Sequence, residues 1–466
     1  MYRLSALIHG LQRRAQKNSQ CKPVNNCGGS DFPETLVSSL ERWQPATDCA
    51  ADLLRMDLND LSRSSADQKH DVFVRFVNGN SYRRKIDSRP EAIQECLLEL
   101  RSACAEGKIA IALEQRRGAL FYQLCTHLNW IDLYPVNPHS LSSFRLTFFS
   151  SRAKDDPIDG QLLEELVRTH RYRLRPYQPE AITERKLYLY CRQRRSLLDL
   201  ATKAELKLVS TLKQYFPVTV SLFAAIGMKS DIALDFLSRW PTLHDLRRAK
   251  VHTIRSFFCG HNSRSQSLIE KRLQQIGEAH EVTDDCALIE PLVLTAKCLV
   301  AQLRQFNETI NEFDRKIREL FKSHPDHFLF ETLPGAGEKL APRLLSLFGS
   351  DRSRWTDATD LQKYSGIAPV VERSGKSLWV HRRLSRPIFV CQTFHEFAQQ
   401  STRFSPWADQ FYRRQREKGK SHHSAIRSLA FKWIRIVFAC WKTNKPYDES
   451  LYINALAKRT SSPSLT

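Results

Sequence analysis

Three aspartates, Asp155, Asp156 and Asp159, fall within the stretch AKDDPIDGQLLEEL. The chain around them is strongly basic, with 71 Lys and Arg against 50 Asp and Glu and a formal net charge of +21. Asp suits a helix N-cap and Pro the first helical position, so Asp156-Pro157 begins a helix. Asp159 then lies one turn on, on nearly the same face. Taken alone, a cap and a carboxylate at the positive helix end account for the pair. Glu114 changes the balance. It closes the apolar run KIAIALE, the mark of a strand buried on both faces, and open α/β sheets place their sites at such strand ends. Glu114, Asp156 and Asp159 together are hard oxygen ligands suited to Mg²⁺. Two such ions about 4 Å apart activate a nucleophile and stabilise a leaving oxygen in phosphodiester chemistry. The acids would thus hold a cation against a phosphate that the surrounding positive charge attracts.

A hydroxyl offers a second chemistry. In VERSGKSLWVHRRLSR, Ser374 precedes Gly375, which allows close backbone approach. Arg373, Lys376, His381, Arg382 and Arg383 surround it in sequence. A serine among cations can attack a phosphodiester while the cations stabilise the developing charge. The plainer alternative is a Ser-Gly loop on a basic, DNA-facing hairpin. The PGAG turn, with Gly335 and Gly337, sits between helical stretches like a helix-hairpin-helix turn, whose backbone N–H groups approach phosphate. Arg152 and Lys154 add cations beside the aspartates. His422-His423 point to different sides of a helix and fit a helix start or a phosphate contact better than a metal.

The surplus of positive charge points to a nucleic-acid partner, DNA foremost. The twelve cysteines form no C-x-x-C pair, so reduced thiols in a reducing compartment are expected. No unbroken apolar run reaches about 18 residues, so no membrane span is expected. The first thirty residues carry Arg and Lys but no acid before Asp31, a composition shared with transit peptides. Residues 1–60 read as an unmatched, disordered extension. Residues 61–170 alternate strand and helix patterns, an α/β order. Residues 171–328 are almost wholly helical, with two long amphipathic stretches expected to pair as an antiparallel coiled-coil arm. Residues 329–455 form a second, mostly helical domain, in which AFKWIRIVFACW reads as core, and 456–466 a disordered tail.

The stretches LEQRRGALFYQL, LYPVNP, SRAKDDPIDGQLLEEL, YSGIAPVVERSGKSLWVH and GKSHHSAIRSLAFKWIRI resemble, in this order, the insertion sequence 110 family of transposases. The resemblance covers roughly residues 67–455. It implies an RNase H/RuvC-like α/β domain with a D-E-D-D tetrad, a helical arm, and a mostly α C-terminal transposase domain with a nucleophilic serine. It implies Mg²⁺-dependent strand exchange on DNA, directed by an element-encoded guide RNA, in the bacterial cytoplasm near the nucleoid. A homo-oligomer, dimer or tetramer, is expected because two strands at each of two sites must be handled. By motif, Glu114 is the tetrad's glutamate, Asp156 and Asp159 its last two aspartates, and Ser374 the serine that links transiently to DNA. The family's first aspartate ends the first strand, and the matching position here is Ser64, with RMDLNDLSR a poor central strand because its charges would lie in the sheet. That substitution makes two alternatives live: an impaired nucleic-acid-binding remnant, and a metal-only junction nuclease.

Overall fold

The computed structural model describes residues 53–57, 69–104, 107–114, 118–148, 156–375, 377–451 and 453–454, with the backbone alone for 53–57 and 156–158. Most of this chain is helical, with one five-stranded and one two-stranded sheet. It divides into two compact units, Met1–Pro179 and Glu180–Thr466.

In the first unit, β1 (Leu53–Asp57), β2 (Lys69–Arg75), β3 (Ser81–Asp87), β4 (Ile109–Leu113) and β5 (Ile131–Pro135) form a sheet in the order β3-β2-β1-β4-β5. β2 runs antiparallel to its neighbours β1 and β3, β4 runs parallel to β1, and β5 parallel to β4. The β2–β3 hairpin turns at Gly79, whose φ of +89° suits glycine. β4 is buried along its whole length, and its alternation sorts large from small. Ile109, Ile111 and Leu113 pack with α1 (Pro90–Ala103) and α2 (Ala119–Leu124). Ala110 and Ala112 face the other way, against Leu162, Leu163 and Val167 of α4 (Asp156–His170), beside α3 (Pro138–Phe148). Alanine on that face lets α4 lie close to the sheet.

Two expectations are corrected here. The sheet begins at Leu53, inside the stretch expected to be a disordered extension. Residues 55–57 of the segment judged a poor central strand lie in the middle strand, flanked by β2 and β4, and 58–63 lie outside the described residues. The register of β1 aligns Leu54 with Ile111 and Met56 with Leu113, so apolar residues match the apolar positions of β4. Of its charges, Arg55 lies within the strand and Asp57 is the last strand residue. The unit also runs past residue 170, because Tyr177 N–H donates to Leu133 O at the sheet (2.6 Å).

In the second unit, α5 (Ile182–Tyr215) and α11 (Cys286–Lys322) lie antiparallel. Arg194 pairs with Asp314 near one end (2.6 Å), while Tyr215 lines a pocket with Val293 and Ala296 near the other. They are not a bare coiled coil. Between them in sequence, α6 (Pro217–Leu222), α7 (Asp231–Arg239), α8 (Leu243–Arg248), α9 (Val251–Gly260) and α10 (Gln266–Glu278) add Phe223, Phe236 and Phe258 to a shared core. An 18-residue stretch of α11 is long and apolar enough to cross a membrane, which a search for unbroken apolar runs misses. Its Ala296, Val300 and Leu303 are buried in that shared core.

Both long helices also enter a second core, through Leu187 and Cys191 of α5 and Ile317 and Phe321 of α11. The expected border at 328/329 therefore falls between elements that share continuous helices. This core is built by α12 (His327–Glu331), α13 (Gly337–Phe348), α14 (Ala358–Tyr364), α15 (Ile388–Ser401), α16 (Pro406–Glu417) and α17 (His422–Thr443). Trp433 and Trp441 of α17 are fully buried, as AFKWIRIVFACW suggested. Their indole N–H groups donate to Ser401 Oγ (2.8 Å) and Gly349 O (2.7 Å), which satisfies the one polar atom each carries. The hairpin of β6 (Val370–Ser374) and β7 (Ser377–His381) is exposed along nearly its whole length. Trp433→Ala is expected to cost about 3–5 kcal/mol of unfolding free energy, read as a lower denaturation midpoint; a loss under about 1 kcal/mol would contradict this core.

Candidate functional site: a carboxylate edge and a serine hairpin

The carboxylates come together through strand register and helix direction. Met56 pairs with Leu113, so the next residues, Asp57 and Glu114, close adjacent parallel strands at one level. Two contacts fix the direction of α4. Glu164, within it, meets Arg75 (3.4 Å), whose register partner is Leu53 at the start of β1. Arg171, just past its C-terminus, reaches Asp132 (2.6 Å) and Tyr134 Oη (2.8 Å) of β5; Asp132 is paired with Ala110, near the start of β4. The C-terminal part of α4 thus lies at the beginnings of the parallel strands. Its N-terminus, with Asp156 and Asp159, lies toward their ends, beside Asp57 and Glu114.

Asp159 is 2% exposed. Its Oδ1 contacts the Arg145 guanidinium of α3, yet makes no aligned hydrogen bond. A buried carboxylate needs a counter-charge, and Arg145 supplies one. Glu114 is half-buried. Among the described residues no three His, Cys, Asp or Glu side chains gather at metal-binding distance; the side chains of Asp57 and Asp156 fall outside that description. The backbone places four acids at one edge, and the oxygen-only donor set with the poorly satisfied Asp159 Oδ1 fits a hard divalent cation. Asp57 and Arg145 were missed in the sequence. The only signal for Asp57 was the end of LLRMD, too short and too charged to mark a strand. Arg145, alone in SSFRLTF, had none. Ser64, Arg152 and Lys154 lie outside the described residues.

Ser374 ends β6 and pairs with Ser377 across a two-residue turn of Gly375 (φ +55°) and Lys376, which lies outside the described residues. Ser374 is exposed. Arg373, adjacent to it, is exposed as well. The expected ring of cations around Ser374 is only partly formed. Val370 pairs with His381 at the opposite end of the hairpin, so His381, Arg382 and Arg383 lie at its base, about 13 Å along the strands at ~3.3 Å per residue. There His381 meets Glu372 (3.5 Å), and His381, Arg382 and Arg383 line a cleft. The PGAG turn is also re-aimed. A Cβ at Gly335 would meet the Gln400 backbone and the Phe404 ring at 3.0 Å, so that glycine packs on the end of α15. Gly337 (φ +53°) has open space.

The sheet order and carboxylate edge are consistent with a RuvC-like domain. A transposase family model of the DEDD type, named for IS110, matches residues 65–217, beginning past β1. A second, for transposases of the IS116/IS110/IS902 family, matches residues 328–413. The chain is 26% identical over 348 residues to a mini-circle putative transposase for IS117 of Streptomyces coelicolor, covering 73% of this chain and 83% of the relative. It is 22% identical over 400 residues to an uncharacterized 42 kDa protein of insertion element IS900 of Mycobacterium paratuberculosis, covering 81% and 95%. It is 26% identical over 162 residues to a pilin gene-inverting protein of Moraxella lacunata, covering 32% and 48%. These matches define a transposase of an insertion element. The chain belongs to the IS110 family of transposases.

The Arg145–Asp159 pair gives a prediction of its own. Arg145→Gln leaves a buried carboxylate without its partner and is expected to cost about 3 kcal/mol or more, with part of the loss recovered in Arg145→Gln/Asp159→Asn. Chemical denaturation of both variants checks this; additive losses in the double variant would mean the two side chains are not coupled.

Proposed function

We propose that this transposase is a strand-exchange recombinase in which Ser374 is the nucleophile and Asp57, Glu114, Asp156 and Asp159 form the acidic tetrad. Asp57 takes the place expected of Ser64. The observation that carries the reading is the convergence of β1, β4 and the N-terminus of α4 on one edge of the sheet. The tetrad would hold Mg²⁺, which neutralises phosphate charge and polarises its oxygens when bound. Ser374 Oγ forms a bond to phosphorus as one backbone P–O bond breaks; the serine proton is lost and the departing oxygen is protonated. A strand hydroxyl then displaces the serine, so the number of phosphodiester bonds is conserved. Arg373 and Gly375, on either side of Ser374, would offer the phosphate a cation and open backbone. The net charge of +21 suits two polyanions together, the DNA and an element-encoded guide RNA. Work on paired strands calls for a homo-oligomer, dimer or tetramer. A relative that inverts a gene fits rejoining rather than cleavage alone.

An adduct assay tests this. The chain is incubated with flanking-element RNA, labelled junction DNA and Mg²⁺, and protein–DNA bands are read on a denaturing gel. Wild type is expected to give an adduct and Ser374→Ala none. Asp57→Asn is expected to lower it about 10³-fold, while Ser64→Asp leaves it within about twofold. An adduct only after Ser64→Asp would restore Ser64 as the lesion of an impaired copy. Cleavage that persists in Ser374→Ala and vanishes in Asp156→Ala would establish a metal-only nuclease instead.

A further inference from the structure

The cleft at the base of the hairpin has a composition that a role beside Ser374 does not explain. Its volume is about 550 Å³, and Arg382, Arg383, Lys420 and Arg427 line it. Among the described residues none of these four forms an ion pair with a carboxylate. Elsewhere in the same unit arginines are matched, as in Arg194–Asp314 and Arg352–Asp326, both at 2.6 Å. Burial, with the charges of Arg382 and Arg386 close by, lowers the pKa of Arg427 from its usual value. Like charges held together without acids form a standing demand for an anion.

The cluster is built into the fold. Arg386 donates to Arg383 O (2.5 Å) and Leu384 O (3.2 Å), which fixes the turn carrying Arg382 and Arg383. The Arg386 side chain lies across Gly366: a Cβ there would come within 2.2 Å of its Cδ. Gly366 has φ +72°, so both backbone and space require glycine. Lys420 Nζ donates to Ser428 Oγ (3.2 Å) of α17. Phe411 and Phe431 supply aromatic surface on the same wall, with Lys432 Nζ over one face of the Phe411 ring at 4.3 Å, leaving the other for a base.

We propose that this cleft holds a single-stranded stretch of polynucleotide, its phosphates against Arg382, Arg383, Lys420 and Arg427 and a base against Phe411. Cations without acids select a polyanion, and an aromatic face selects one with unstacked bases. A space of this size admits a ligand of small-molecule dimensions, hence one or two nucleotides, whereas a duplex keeps its bases stacked inside. The inference rests on nucleic acid being this chain's partner and not on Ser374 bonding to it.

The test is fluorescence anisotropy of the full chain with labelled oligo-dT, oligo-U and a duplex of equal length, across a salt series. Lys420→Gln/Arg427→Gln is expected to weaken single-strand binding about tenfold or more, and to reduce the salt slope by about 1.4. Duplex affinity should stay within about twofold. Phe411→Leu, which keeps an apolar side chain at the core's edge, should weaken single strands and leave the slope unchanged. A preference between the two oligomers tells whether the strand is DNA or RNA. Lys207→Gln/Lys213→Gln on α5 sets the cost of losing two charges elsewhere. Equal losses on duplex and single strands, or no loss beyond that control, would overturn the proposal. A chain that binds through the cleft yet forms no Ser374 adduct sinks the recombinase reading alone; an adduct with cleft variants binding as wild type sinks the cleft alone.

Discussion

The packing of α4 across β1, β4 and β5 is the constraint on which the first unit turns. It depends on a choice of side-chain size. Ala110 and Ala112 leave room on one face of β4, and Leu162, Leu163 and Val167 fill it. Fully burying each of those three is worth about 1.5–3 kcal/mol, enough to fix the helix position firmly. Once α4 lies there, its direction is set by polar contacts at its far end, Glu164 with Arg75 and Arg171 with Asp132. The aspartates at its start are then carried toward the strand ends by the backbone. The acids at this edge are thus positioned by apolar packing and by ion pairs farther along the helix.

The second unit solves a different problem. Its hairpin is exposed, so Ser374 is held out by backbone pairing alone rather than by burial. The register of β6 on β7 decides which cations accompany the serine and which stay behind. Arg382 and Arg383 stay at the base, where Gly366 and Arg386 set their turn. Because α5 and α11 thread both cores of this unit, the helical bundle and the hairpin-bearing core share a rigid axis.

How much of this was legible in the residues varies with the range of the interactions involved. Glu114 could be placed because a five-residue apolar run followed by a carboxylate is a local signal. The start of α4 at Asp156 could be placed because capping chemistry is local too. β1 was not legible as a strand. Five residues with two charges carry little pattern, and what makes LLRMD central is pairing with β2 and β4, fixed by residues far along the chain. The likeness matched SSADQKHD by sequence and so pointed to Ser64, which lies outside the described residues, while β1 ends seven residues earlier, at Asp57. The split between the tip and base of the serine hairpin needed strand register, since a run of VERSGKSLWVHRR places all its cations equally near Ser374 in sequence. Arg145 was invisible because nothing in SSFRLTF announces a partner on another helix.

That last residue bears on the carboxylates' place in so basic a chain. An acid at 2% exposure is tolerable only with a compensating cation. If a divalent ion alone supplied it, the edge would assemble only with metal present. Arg145 supplies it from within the chain, so the burial of Asp159 does not wait on an ion. The arginine supplies the counter-charge, though not an aligned hydrogen bond, to the buried oxygen, while Asp57 and Glu114 at the strand ends are positioned by backbone pairing. The surplus of positive charge can then act at long range, gathering polyanions, without being cancelled by its own small acidic cluster.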